Sequence, residues 1–96
     1  MAAYVIGRLE MRDPSWIEKY RATVPSIVAK HGGRYLVRGG KMETLEGSAP
    51  LPTSYVVLEF PSMDQARAFY RDPDYAPFIA LRQRGSDLEM VLVEGL

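Results

Sequence analysis

The chain contains no cysteine and only one histidine among its 96 residues. The absence of cysteine excludes disulfides, thiolate metal sites and thiol nucleophiles. A single imidazole with scattered carboxylates is also a poor ligand set for zinc or copper. We therefore expect neither a metal nor another cofactor.

Charge of one sign is not in excess either, because twelve basic side chains balance twelve acidic ones. A general polyanion binder needs a basic surplus, so nucleic acid is not an expected partner. The longest apolar runs, such as residues 55–58, are far too short to span a bilayer. The first residues lack the basic leader and apolar core of a signal peptide. We expect a cytoplasmic protein with no membrane partner.

The residues that are present have the balance of a folded domain, with 47% hydrophobic and 25% charged residues. A chain of this length can bury one core, so we assign residues 1–96 to a single domain. Neither an internal repeat nor a low-complexity tract is visible.

The N-terminal third of the sequence predicts a strand followed by a long helix. Alternation of apolar residues favours a strand over residues 4–10. The pair Asp13-Pro14 is typical of a helix start, and Gly32-Gly33 is typical of a helix end. Pro25 lies inside this helix and is expected to kink or divide it, because proline donates no hydrogen bond.

The rest of the chain predicts three further strand regions and a second helical region. Residues 34–38 and 41–46 are strand-like segments around Gly39-Gly40, a pair that fits either a hairpin turn or a bulge. A loop is expected over residues 47–54. The later predicted elements are a strand at 55–60, a helix opening at Ser62, a second short helix opening at Asp72-Pro73, and a strand at 88–94.

This order, β-α-β-β-α-β, predicts a ferredoxin-like α+β fold, with a four-stranded antiparallel sheet and both helical regions on one face. Strand parity then places one set of side chains on the face away from the helices: Tyr4, Ile6, Arg8, Tyr55, Val57 and Glu59. That face is too apolar for simple exposure, so we expect a second copy to cover it in a symmetric homodimer. Arg8 and Glu59 are expected to form an ion pair across the central strands.

Several segments, taken together and in order, resemble one known family. They are HGGRYLVRGG (31–40), LEG (45–47), LEFP (58–61), ARAFY (66–70), DY (74–75) and LR (81–82). The chain looks like a member of the family called domain of unknown function 1330, within the dimeric α/β-barrel superfamily, over about residues 4–95. Phe69 stands where many members carry tryptophan. The resemblance implies a ferredoxin-like fold and a homodimer, and it implies no established activity.

Three groups of residues are candidates for a functional site. His31, on the last turn of the first helix, either stabilises the negative end of the helix dipole or acts as a general base or ligand contact. Arg34 and Arg38 are expected on one strand face, where they either hold a carboxylate or phosphate or pair with nearby glutamates. Trp16 and Tyr20 belong either to the core or to the lining of a pocket, and Tyr70 and Tyr75 allow the same two interpretations.

Two functions follow from these candidates, and whether the protein is an enzyme stays open. The first is the binding of a small acidic or aromatic metabolite by a dimer. Its expected ligand-binding residues are Trp16, Tyr20, Arg34, Arg38 and Glu59. The alternative is a cofactor-independent enzyme of isomerase, decarboxylase or oxygenase type, with His31 as the acid/base.

Overall fold

In the computed structural model, which describes residues 1–96, the chain forms four strands and three helices. In chain order they are β1 (Ala3–Met11), α1 (Ile17–Lys30), β2 (Arg34–Arg38), β3 (Ser54–Phe60), α2 (Met63–Arg71), α3 (Ala76–Gly85) and β4 (Ser86–Glu94). The strands form one antiparallel sheet in the order β2-β3-β1-β4. Two interleaved crossovers produce this order, and the predicted ferredoxin-like α+β fold is confirmed. No helix has the length and apolar character needed to cross a membrane.

The helix α1 begins as the sequence predicts but is not divided at Pro25. Asp13 caps a short 3-10 turn, Pro14–Trp16, by accepting a hydrogen bond from the backbone N–H of Ser15. The helix then runs unbroken from Ile17 through Pro25 to Lys30. The predicted division does not occur, because tertiary packing outweighs the loss of one N–H donor.

The end of α1 uses the glycine pair in two different ways. Gly32 has a φ of +78°, and its N–H bonds to the carbonyl of Ala29, while the N–H of Gly33 bonds to that of Val28. This pattern is a Schellman motif, which requires a left-handed residue. A Cβ on Gly33 would lie 2.5 Å from the Phe60 ring, so the missing side chain lets the chain pass closely over β3.

The edge strand β2 contains a bulge at Leu36. Tyr35 lies opposite Leu58, but Val37 lies opposite Val57, so Leu36 has no partner in the register. An extra residue inverts the alternation of side chains beyond it. The residues before and after Leu36 therefore do not follow simple strand parity.

Beyond β2 the chain leaves the sheet, and residues 39–53 contain no strand. The predicted strand at 41–46 is wrong, and Gly39-Gly40 forms neither a hairpin turn nor a bulge. Both glycines have a positive φ, +77° and +102°. Consecutive residues in that region cannot continue a strand, so the pair begins a long loop.

Two other boundaries differ from the sequence prediction. Asp72 accepts a hydrogen bond from the backbone N–H of Asp74, as an N-cap does, but the residues it caps, 73–75, form a turn that precedes α3 and not its first helical residues. The helix starts four residues later, at Ala76. The last strand starts at Ser86, whose hydroxyl donates to the carbonyl of Arg82.

The core lies between the helices and one face of the sheet. Its buried members come from both layers and from the turn before α3: Val5, Val24, Ile27, Val28, Leu58, Phe60, Ala66, Phe69 and Tyr75. The aromatic rings of Phe60, Phe69 and Tyr75 stack in series, with centroids 5.2 and 4.5 Å apart. Strand parity predicts that Val5, Leu58 and Phe60 face the helices, and all three belong to this core.

The opposite face of the sheet, which we call the outer face, exposes apolar side chains. Ile6 and Tyr4 in β1 lie opposite Val91 and Val93 in β4. Val91 is 60% exposed and Val93 is 47% exposed. Simple solvation explains isolated apolar residues but not an apolar face of this kind.

The predicted ion pair between Arg8 and Glu59 on the outer face is wrong. Antiparallel pairing places Arg8 opposite Tyr55, whereas Glu59 lies opposite Tyr4, four residues away along β1. Arg8 instead contacts Glu10 at 3.3 Å and donates to the carbonyl of Pro50.

Candidate ligand-binding site

A cavity of about 230 Å³ lies between the inner face of the sheet and the helices α1 and α3. Fourteen of its 21 lining residues are hydrophobic. Part of its room comes from Gly7, because β1 places Val5, Gly7 and Leu9 on the inner face and the middle one has no side chain. A Cβ at Gly7 would lie 3.0 Å from Cδ1 of Leu88 across the cavity wall.

The cavity has an exposed end and a buried end. Arg21, Arg38 and Thr53 line it and are exposed, so they mark its mouth. Tyr75 and Arg82 also line it, but they are only 2% and 4% exposed and form its buried end.

Three polar side chains meet at the buried end. Arg82 Nη1 donates to the hydroxyl of Tyr20 at 2.9 Å and to that of Tyr75 at 2.7 Å. The two hydroxyls lie 2.6 Å apart. Burial raises the pKa of both phenols, so both keep their protons at neutral pH.

The position of this three-residue cluster depends on helical spacing and on one glycine. Tyr75, just before α3, and Arg82, seven residues later, fall on the same face of the helix. Gly85, one turn further on, has no Cβ, and the indole ring of Trp16 packs directly against it. Trp16 in turn meets the Tyr20 ring edge-on, with centroids 5.2 Å apart.

The structure brings together three of the six predicted site residues. Trp16, Tyr20 and Arg38 all line the cavity. The Arg38 guanidinium lies over the ring of Tyr35, 4.8 Å from its centroid, at the mouth.

Arg34 and Glu59 lie on the outer face, away from the cavity. Arg34 Nε lies 2.8 Å from Glu59 Oε1, and the hydroxyl of Tyr4 donates to the same carboxylate at 3.0 Å. Hydrogen bonds from Arg34 and then Tyr4 lower the pKa of Glu59. The predicted shared face for Arg34 and Arg38 is wrong, because the bulge at Leu36 turns Arg38 to the inner face.

His31 is the C-cap of α1 and does not line the cavity. Its Nε2 lies 2.7 Å from Oδ2 of Asp72, which also accepts a hydrogen bond from Lys30 at 2.9 Å. These hydrogen bonds, from His31 first, hold the pKa of Asp72 well below its usual range. Phe69, which lines the cavity, packs edge-on against the imidazole ring. An acid/base role for His31 stays a prediction.

The sequence interpretation did not include Arg82 among the site residues. Its signal was present, because Arg82 stands at helical spacing on the apolar stripe of Tyr75, Phe78 and Ile79. A charged residue at such a position either lies at the edge of the apolar stripe, where water solvates it, or is buried with polar partners. The sequence does not distinguish these two cases. Tyr70 is 47% exposed and does not line the cavity. No group of three or more acidic or histidine side chains is arranged to hold a metal ion.

Comparison with known proteins decides the family. The sequence model described as Domain of unknown function (DUF1330) matches residues 2–96. The chain belongs to the DUF1330 family. Among curated proteins, no sequence matches this DUF1330 chain.

Solved structures similar to this DUF1330 protein share its fold at low sequence identity. RPA0582 of Rhodopseudomonas palustris, a protein of unknown function, has a TM-score of 0.80 at 17% identity, over 99% of this chain and 82% of that one. SnoaB of Streptomyces nogalater, a cofactor-independent oxygenase, has a TM-score of 0.63 at 15% identity, over 99% and 93%. A dimeric ferredoxin-like protein of unknown function from Thermobifida fusca has a TM-score of 0.60 at 18% identity, over 99% and 92%.

Proposed function

We propose that this DUF1330 protein binds a small acidic or aromatic metabolite in the cavity, and that it does so as a cytoplasmic homodimer. One observation carries the proposal: an apolar cavity has a single buried polar end, formed by Tyr20, Tyr75 and Arg82. Ligand sites have this composition, with apolar walls that supply affinity and a few placed polar groups that fix orientation.

The size of the cavity supports a small ligand. Its volume of about 230 Å³ lies below the roughly 300–1,000 Å³ of sites that hold drug-sized molecules. Aromatic side chains, among them Trp16, Tyr20 and Tyr35, line much of it and would contact a planar ring.

The outer face supports the homodimer. It presents an apolar patch around Ile6, Val91 and Val93, bordered by the polar cluster of Arg34 and Glu59. An apolar patch that packs against the same patch of a second copy closes in a two-fold dimer. The Thermobifida fusca protein, which has the same fold, is dimeric.

Native mass spectrometry of freshly purified protein tests both parts. The expected result is a dimer that retains a small molecule or, if purification strips it, a dimer that binds members of a panel of small acids and aromatics. A monomer at micromolar concentration would contradict the homodimer. If no member of the panel binds, the proposed binding function is contradicted.

A second candidate is a cofactor-independent enzyme with His31 as the acid/base. The specific observation in its favour is the short contact between His31 and the buried carboxylate of Asp72, since an aspartate that fixes the imidazole orientation is typical of general bases. SnoaB, of similar fold, is a cofactor-independent oxygenase. The test is His31→Ala: a catalytic role requires that any activity found be lost, and full retention would contradict it.

A further inference from the structure

Arg82 carries a buried charge that no acidic side chain balances. The residue is 4% exposed, yet it takes part in none of the ion pairs of the chain. None of the residues lining the cavity is acidic. A buried charge without an opposite charge is strongly unfavourable, so a site that keeps one is suited to an anion brought from outside.

Only one of the three nitrogens of the Arg82 guanidinium donates hydrogen bonds within the protein. Its Nη1 donates to the two tyrosine hydroxyls. The opposite edge consists of Nε–H and Nη2–H, and Nε is buried without a partner in the protein. Two parallel donors of this kind can bind both oxygens of a carboxylate.

Other polar side chains that line the cavity also have donors without a partner. The indole Nε1 of Trp16, which is 6% exposed, is buried without a partner. Of the two hydroxyls of Tyr20 and Tyr75, one donates to the other, and the hydroxyl that accepts has no acceptor for its own proton. A site with surplus donors calls for a ligand that brings acceptors.

We infer that Arg82 anchors the carboxylate of a small monocarboxylic acid, whose apolar body, preferably an aromatic ring, occupies the hydrophobic part of the cavity beside Gly7. This inference rests on the proposed function and narrows it, because it orients the ligand with the acid inward. We assign the anchor to Arg82 and not to Arg38, because Arg38 is exposed at the mouth, where solvent weakens an ion pair, and its guanidinium is stacked on Tyr35.

The test compares benzoate with benzamide, which has the same shape without the charge, by calorimetric titration of the wild-type protein. We expect benzoate to bind at least about tenfold more tightly, since a charge-assisted pair of hydrogen bonds is at stake. Equal affinities would overturn the anchor while leaving the proposed binding function standing. No binding by either compound or by any other member of the acid and aromatic panel would overturn both.

Variants at Arg82 test whether this residue causes the preference for benzoate. Arg82→Met should abolish the preference for benzoate, and Arg82→Lys, which keeps the charge but loses the fork, should retain only part of it. Arg84→Met is the matched control, because it removes the same charge from an exposed position on the same helix. A preference for benzoate that survives in Arg82→Met would overturn the assignment. If that variant does not fold, Arg82→Lys decides, because a preference for benzoate as large as that of the wild type would overturn the assignment.

Discussion

The hydroxyls of Tyr20 and Tyr75 lie 2.6 Å apart and share the Nη1 of Arg82. Three side chains from α1, from the turn before α3 and from α3 itself thus hold one another in place at the bottom of the cavity. Because the Tyr phenols remain protonated, they act as neutral hydrogen-bonding groups and do not neutralise the guanidinium. The cluster fixes the position of a positive charge without cancelling it.

Removing one hydroxyl should therefore destabilise the fold. In Tyr75→Phe, the buried Arg82 loses an acceptor, and we expect the free energy of unfolding to fall by about 1–3 kcal/mol. Urea denaturation followed by Trp16 fluorescence measures this change. Tyr70→Phe is the control, because the Tyr70 hydroxyl makes no hydrogen bond within the protein and its side chain is half exposed. Equal stabilities for the two variants would contradict the role assigned to the cluster.

Filling the cavity from Gly7 should block the ligand. Gly7→Ala adds one carbon, which Leu88 can accommodate by a small shift of its side chain, and should weaken binding only modestly. Gly7→Val adds two further methyl groups at the inner face and should weaken benzoate at least about tenfold. Titration of both variants gives the comparison. Unchanged affinity in Gly7→Val would show that the ligand lies elsewhere.

The pairing of Asp72 with His31 and Lys30 should make stability sensitive to acid. Its pKa is lowered in the folded state, so its contribution is present above the unfolded value of about 3.9 and is lost as the pH falls below that value. The free energy of unfolding should decline below about pH 4. Asp72→Asn should be less stable than wild type at pH 6 and should show a shallower decline in acid.

A neighbouring carboxylate provides the control for this acid dependence. Asp74→Asn removes a group that also faces Lys30, but at 3.4 Å and with a side chain that is 72% exposed. Denaturant titrations between pH 2 and 6 should therefore give nearly the wild-type profile for Asp74→Asn. An Asp72→Asn profile as steep as that of wild type would contradict the assignment.

A charge on the outer face should prevent the proposed homodimer from forming. Val91→Asp places a carboxylate in the middle of the proposed interface, where desolvating it is costly, and should shift the protein to monomer in light-scattering measurements. Leu45→Asp makes the same change at a residue that is 91% exposed in the loop of residues 39–53, and it should leave the dimer intact. A dimeric Val91→Asp protein would contradict the use of this face.

The fold could be predicted from the sequence because its signals are local and mutually consistent. The cap at Asp13, the glycine pair after α1, the alternation in β1 and the β-branched and aromatic residues of β3 all favour the observed elements. The register could not be predicted in the same way. No residue type signals the bulge at Leu36, yet this one extra residue places Arg34 and Arg38 on opposite faces of the sheet.

Only part of the candidate site could be predicted from the sequence. Tyr20 stands at helical spacing with the apolar residues of the first predicted helix and Trp16 stands near its start, so the sequence predicts for both either a place in the core or one in the lining of a pocket. That Arg82 joins them depends on the packing of α3 against α1, and in particular on the close approach of Trp16 to Gly85. Such contacts between distant segments become visible only in the folded structure.

The most direct test of a small acid bound at the bottom of the cavity is the indole N–H signal of Trp16 in a ¹H–¹⁵N correlation spectrum. Trp16 is the only tryptophan, so the signal is unique, and its buried Nε1 has no partner in the protein. Titration with benzoate should move this signal in a saturable way, with a smaller or absent effect from benzamide. An indole signal that stays in place while benzoate binds would contradict the account.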